Sequence, residues 1–262
     1  ILYTSTRRNG RDSDIYVMDP RDPATDRLVA QLDGGGWSPT DVSADGTQAL
    51  VQRYISINES QIHLLDLTTG QMRQLTPKGA VAYGEARFAP DGTIYVTTDA
   101  DGEFRTLAPL DPATGKTSRV SINDKWDVEE FDIARDGSFL AYSINEAGSS
   151  RLVIHHLRKR IAPLSPELPK GVISHLKIAD NGEVGFSFSS ARMPGDVLSV
   201  NPDTLAVTRW TESETGGVDT STFAEPELIT IRSFDGLEIS GFLYRPDARR
   251  FPGKRPMIMH IH

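Results

Sequence analysis

Acyl-transfer chemistry needs an activated serine, a histidine base, a carboxylate that orients the base, and an oxyanion hole. The stretch Gly185-Phe186-Ser187-Phe188-Ser189 comes nearest to the G-x-S-x-G turn that presents such a serine, but it lacks the second glycine. It also falls in a strand-like run with no helix after it, so Ser187 reads as a strand serine. Metal chemistry fares no better. His63, His155, His156 and His175 are scattered, and His155 and His156 are adjacent, so in a strand they point to opposite faces. His260 and His262 share one side of their strand, but two ligands do not make a metal site. There is no cysteine, which removes thiolate ligands, cysteine nucleophiles and disulfides. Neither a metal nor a cofactor is expected.

The elements that would position any site must come from 262 residues, enough for one large all-β domain or two ordinary ones. The net charge of −8 argues against phosphate-backbone binding, so nucleic acid is not an expected partner. The densest basic run, Arg158-Lys159-Arg160, sits where a hairpin turn is expected. No apolar run approaches bilayer length, and no basic-then-apolar leader stands at residue 1, so no membrane is expected either.

Four turn signals recur: SADGTQALV, APDGTIYVT, ARDGSFLAY and ADNGEVGFS. Their Asp-Gly or Asn-Gly pairs begin at Asp45, Asp91, Asp136 and Asn181, at spacings of 46, 45 and 45. Such pairs between apolar runs are strong hairpin signals and predict positive φ at the central turn residues. A second marker follows each first one by about 20 residues, at Asp66, Asp111, near Leu157 and at Asn201. Runs such as TIYVTT, FLAYSI, IHLLDL and LVIHHL are β-branched and aromatic, apolar at consecutive positions, and so expected to be covered on both faces. Four strands repeating at about 45 residues describe the blades of a β-propeller. The fold class expected is all-β: a partial propeller of about five four-stranded blades, near 1–33, 37–76, 81–121, 126–165 and 172–211. The first blade lacks its first strand, which leads us to expect a fragment of a longer protein. Residues 1–222 would form the propeller with its linker.

The rhythm stops after VTRWTESE. A polar linker, TESETGGVDTSTFAEP, leads into ELITIRSFDGLEISGFLYRP and then RPMIMHIH, which read as two strands joined at Asp235-Gly236 and a third strand. The stretch SFDGLEISGFLYRP…FPGKRPMIMHIH resembles the start of the catalytic domain in the prolyl oligopeptidase family of serine peptidases. KWDVEEFDIARDG, SINEAGSSRLVI and TESETGGVDTSTFAEPEL resemble one bacterial branch of it.

That resemblance implies that residues 223–262 open an α/β-hydrolase domain and that His262 leads into the oxyanion loop. Nucleophile, acid and base would all lie beyond His262, leaving this chain inert alone. It also implies short peptides as substrate, the remainder of its own catalytic domain as partner, and a homo-oligomer as a compatible state. In some relatives propeller or lid acids grip a substrate's free N-terminus, a role open to Glu129 and Glu130, although blade-edge acids are the simpler reading. Arg192 could bind a substrate carboxylate or carbonyl, although a turn salt bridge with Asp196 is simpler. The alternative function is a TolB-like propeller that binds a protein partner without catalysis. A propeller enzyme with a central site would need acids or histidines in register on the inner strands, and the repeats are not expected to supply them.

Overall fold

The structure, a computed structural model, describes residues 1–121 and 125–260. It is all-β, and its sheets follow one another along the chain as blades. The first holds β1 (Leu2–Ser5), β2 (Asp14–Asp19) and β3 (Asp22–Ala30). The second holds β4 (Trp37–Val42), β5 (Gln48–Ser56), β6 (Glu59–Asp66) and β7 (Met72–Gln74). The third holds β8 (Tyr83–Phe88), β9 (Ile94–Thr98) and β10 (Thr106–Leu110), and the fourth β11 (Val128–Ile133), β12 (Phe139–Glu146) and β13 (Ser149–His156). The fifth holds β14 (Val172–Ile178), β15 (Val184–Ser189), β16 (Asp196–Val200) and β17 (Val207–Arg209). All pairing is antiparallel between consecutive strands.

Four strands per blade is too regular a description. In the third and fourth blades the outermost strand shrinks to single bridges, Leu110–Thr117 and Ile154–Leu164. In the fourth blade, Arg158-Lys159-Arg160 stands where the second and third blades have Thr-Gly, and the returning chain pairs back only at Leu164.

The repeated turns are also built differently from the expectation. Gly46, Gly92, Gly137 and Gly182 have φ of 71, 86, 69 and 85°, but the preceding Asp or Asn does not have positive φ. Each glycine N–H instead closes a turn onto the carbonyl three residues back, as Gly46 does to Ser43 at 2.8 Å. This is the longer hairpin loop in which a single left-handed glycine follows a type I turn. The residue before the glycine serves the turn through its side chain. Asp45, Asp91, Asp136 and Asn181 each accept the N–H two residues on, at 2.9–3.1 Å.

Packing explains the runs of consecutive apolar residues. Each apolar cluster lies between two successive blades, so a central strand is covered on both faces. Ile15 and Ala30 of the first blade meet Ala49, Val51 and Leu65 of the second. Leu50 and Ile62 meet Tyr83, Ala86 and Val96, and Leu107 meets Phe131, Leu140 and Tyr142. Leu152 and Ile154 meet Ile173, Phe186 and Phe188. Strand β12 is buried at Phe139 through Ile144 without a break.

After the fifth blade come a single 3-10 turn (Thr220–Thr222) and the hairpin β18 (Glu227–Arg232) with β19 (Glu238–Leu243). The apolar stretch at 255–260, expected as a third strand, is not one here. A strand exists through its ladder, and among the described residues no neighbouring strand pairs with this stretch. Met257, Ile258 and Met259 are 71, 95 and 68% exposed.

Candidate functional site

The first strand of each of blades two to five, β4, β8, β11 and β14, is the inner edge of its sheet, and these edges lie side by side from blade to blade. An edge strand leaves alternate N–H groups without a ladder partner. Here those groups are met by acids of the preceding blade. Asp41 accepts the Phe88 N–H and Asp132 the Ile178 N–H, both at 2.8 Å. Glu130 accepts the Leu176 N–H at 2.8 Å, and Glu85 the Phe131 N–H at 3.4 Å.

These acids stand in register. Counted back from the Asp-Gly or Asn-Gly turn, Pro39, Glu85, Glu130 and His175 share one position, and Asp41, Arg87, Asp132 and Lys177 another. The expectation that the inner strands carry no acids or histidines in register is therefore wrong. The arrangement is nevertheless structural, because each of the four carboxylates is engaged by a backbone amide. The signal is present in the sequence, four and six residues before each turn, but its meaning appears only once the blades are stacked.

Arg87 and Lys177 interrupt the acids at the second of these positions. Arg87 is the one set between two blades' acids. It pairs with Glu85 on its own strand, donates to the Phe131 carbonyl at 3.0 Å, and lies 3.6 Å from Asp132. Its side chain is only 14% exposed. Burial pushes the Glu85 carboxyl above the ordinary glutamate range, against the opposing pull of Arg87, the Phe131 amide and Lys177. His175 precedes Leu176 with φ of 57°, an unusual conformation for a residue with a side chain, next to the shift in register of β14 on β15.

The residues singled out from sequence do not converge. Glu129 accepts from the Asn145 side chain at 2.8 Å, which steadies the hairpin after β12. Glu130 serves the axial wall. Arg192 does not pair with Asp196. It donates to the Phe223 carbonyl and lies 3.1 Å from the Glu225 carboxylate, so it fastens the linker to the fifth blade. Asp196 opens β16 with its side chain wholly buried and takes Arg209 at 2.7 Å, the Thr211 hydroxyl at 2.9 Å and the Ser213 N–H at 2.8 Å. Burial favours its neutral form, but those donors outweigh burial and hold its carboxyl below the ordinary aspartate range. His262 lies outside the described residues. Among the described residues no group of three or more His, Cys, Asp or Glu is placed to hold a metal.

Successive antiparallel blades with inner edges side by side define the class: a β-propeller, here partial. Within that class the chain superposes on a solved puromycin hydrolase with a TM-score of 0.75 at 19% identity, over 90% of this chain and 38% of that one. A solved prolyl endopeptidase gives 0.73 at 18% identity, over 92% and 37%. TolB from Acinetobacter baumannii gives 0.62 at 15% identity, over 92% and 62%. At such identities the likeness is one of fold. The chain spans a little over a third of the length of these two enzymes. No protein-family model and no curated protein matches it.

Proposed function

We propose that this chain is the propeller region of a serine peptidase that hydrolyses short peptides through an acyl-enzyme, joined to the opening strands of an α/β-hydrolase domain. Residues 1–222 act as a filter that admits short peptides and excludes folded proteins. Residues 223–262 begin the catalytic domain, with His262 leading into the oxyanion loop and the triad following it. The observation that carries this reading is the hairpin β18–β19 after the last blade. Its Ile231, Leu237 and Ile239 are about half exposed or more, as suits strands that continue into a larger sheet. The fold likeness to a prolyl endopeptidase and a puromycin hydrolase supports it. The TolB likeness favours a second reading, a binding propeller without catalysis, but a binding propeller has no need of that hairpin. Glu129, Glu130 and Arg192 serve the propeller's own structure in the first reading.

The test is hydrolysis by the longer protein that carries this chain. A fluorogenic peptide of about ten residues should be cleaved, and a folded protein containing the same segment should not, because the filter acts by size. Absence of peptide cleavage by well-folded protein, with retained binding of a protein partner, would place the second reading first.

A further inference from the structure

Position four before each repeated turn alternates in charge around the axial wall: Asp41, Arg87, Asp132, Lys177. The acids at this position each hold the next blade by an amide at 2.8 Å. The seam between the third and fourth blades cannot be made that way, because Arg87 has no acceptor to offer the Ile133 N–H. At the wall it is held by the longer Glu85–Phe131 bond at 3.4 Å, by Arg87 on the Phe131 carbonyl at 3.0 Å, and by the Arg87–Asp132 pair at 3.6 Å. Away from the wall this seam is also held at Asp127, which accepts the Arg105 N–H at 2.7 Å, and by the Val128 N–H on the Arg105 carbonyl at 3.0 Å. The neighbouring seams are made differently. Between the second and third blades, Gln52 and Ser60 also bind the Tyr83 carbonyl, both at 2.6 Å. Between the fourth and fifth, Glu130 and Asp132 act together, and Ser150 accepts the Ile173 N–H at 3.0 Å.

We infer that Arg87 is a positioning residue that locks the axial wall at the seam between the third and fourth blades. Geometry supports a lock by charge. Arg87 lies between Glu85 of its own strand and Asp132 of the next blade, all three side chains at most 27% exposed. Removing the guanidinium leaves two mostly buried carboxylates, Glu85 and Asp132, without a cation on either inner strand of the seam, and leaves the Phe131 carbonyl without its donor. Lys177 acts on Glu85 only through its charge, from the fifth blade.

Hydrogen exchange on the intact protein, followed by peptide mapping, tests this. Arg87→Met should raise exchange across Val128–Ile133 about tenfold or more, the scale of a lost charge-assisted bond, and leave Val172–Ile178 unchanged. Adding Glu85→Gln to Arg87→Met should restore part of the protection, since it removes one of the two orphaned charges. That rescue separates a lock from simple loss of packing. Should Arg87→Met not fold, Arg87→Lys keeps the charge but not the planar fork, and should raise β11 exchange by a smaller factor. Equal changes in β11 and β14, no rescue by Glu85→Gln, or wild-type exchange in Arg87→Lys would each overturn the inference.

Discussion

Acid should weaken this fold first through His63. The residue is 7% exposed on β6, with its ring edge-on to Trp37 at 5.1 Å and no partner for Nδ1. Burial, and then the charges of Arg53 and Lys78, push the imidazole from 6.5 down to about 4. The folded state therefore resists the proton that the unfolded chain accepts. Stability from this group is complete above pH 6.5 and is lost as pH falls from 6.5 towards 4. Between pH 7.5 and pH 5 the loss is about 2 kcal/mol, growing to about 3 kcal/mol by pH 4. For a chain of this size that corresponds to about 4–8 °C in Tm at pH 5. His63→Gln cannot take the proton and should lack this component. Thermal unfolding of both proteins at pH 7.5, 6.5, 5.5 and 5 measures it. Equal losses of Tm in the two proteins over that range, or a His63 imidazole that titrates near 6 by NMR, would refute this role for His63.

Two further substitutions follow from single sites. Asp196→Ala removes the acceptor shared by Arg209, Thr211 and Ser213 inside the fifth blade. It should cost about 3 kcal/mol in urea unfolding, about 1 kcal/mol for each of the three donors left unpaired; an unchanged urea midpoint would contradict the assignment. Ala147 and Gly148 form the two-residue loop between β12 and β13 with φ of 52 and 87°, so Ala147→Asn should stabilise by about 1 kcal/mol, read as a higher urea midpoint.

The blades are legible in the sequence because their signals are local. An Asp-Gly or Asn-Gly pair, a β-branched run and a second acid-led turn each act within a few residues, and they recur often enough to count. Even there the turn type differs from the expectation, because the pair alone does not say whether the acid or only the glycine takes positive φ. The axial wall is not legible, for the opposite reason. Asp41 meets Phe88 and Glu130 meets Leu176, 47 and 46 residues away, through edges that exist only once blades stack. For Arg192 the sequence offers Asp196, four residues on, as the near partner; the linker folding back brings Glu225 instead. The stretch at 255–260 carries a strand's composition without a strand's partner, and composition cannot supply one.

Everything proposed for the function depends on this propeller belonging to a serine hydrolase. Fluorophosphonate labelling of the longer protein, with the modified peptide mapped by mass spectrometry, tests that directly. One labelled serine is expected C-terminal to His262, lost on heat denaturation, with no label on residues 1–262 alone. A folded longer protein that takes no label, or a label on a serine within the propeller, would contradict it.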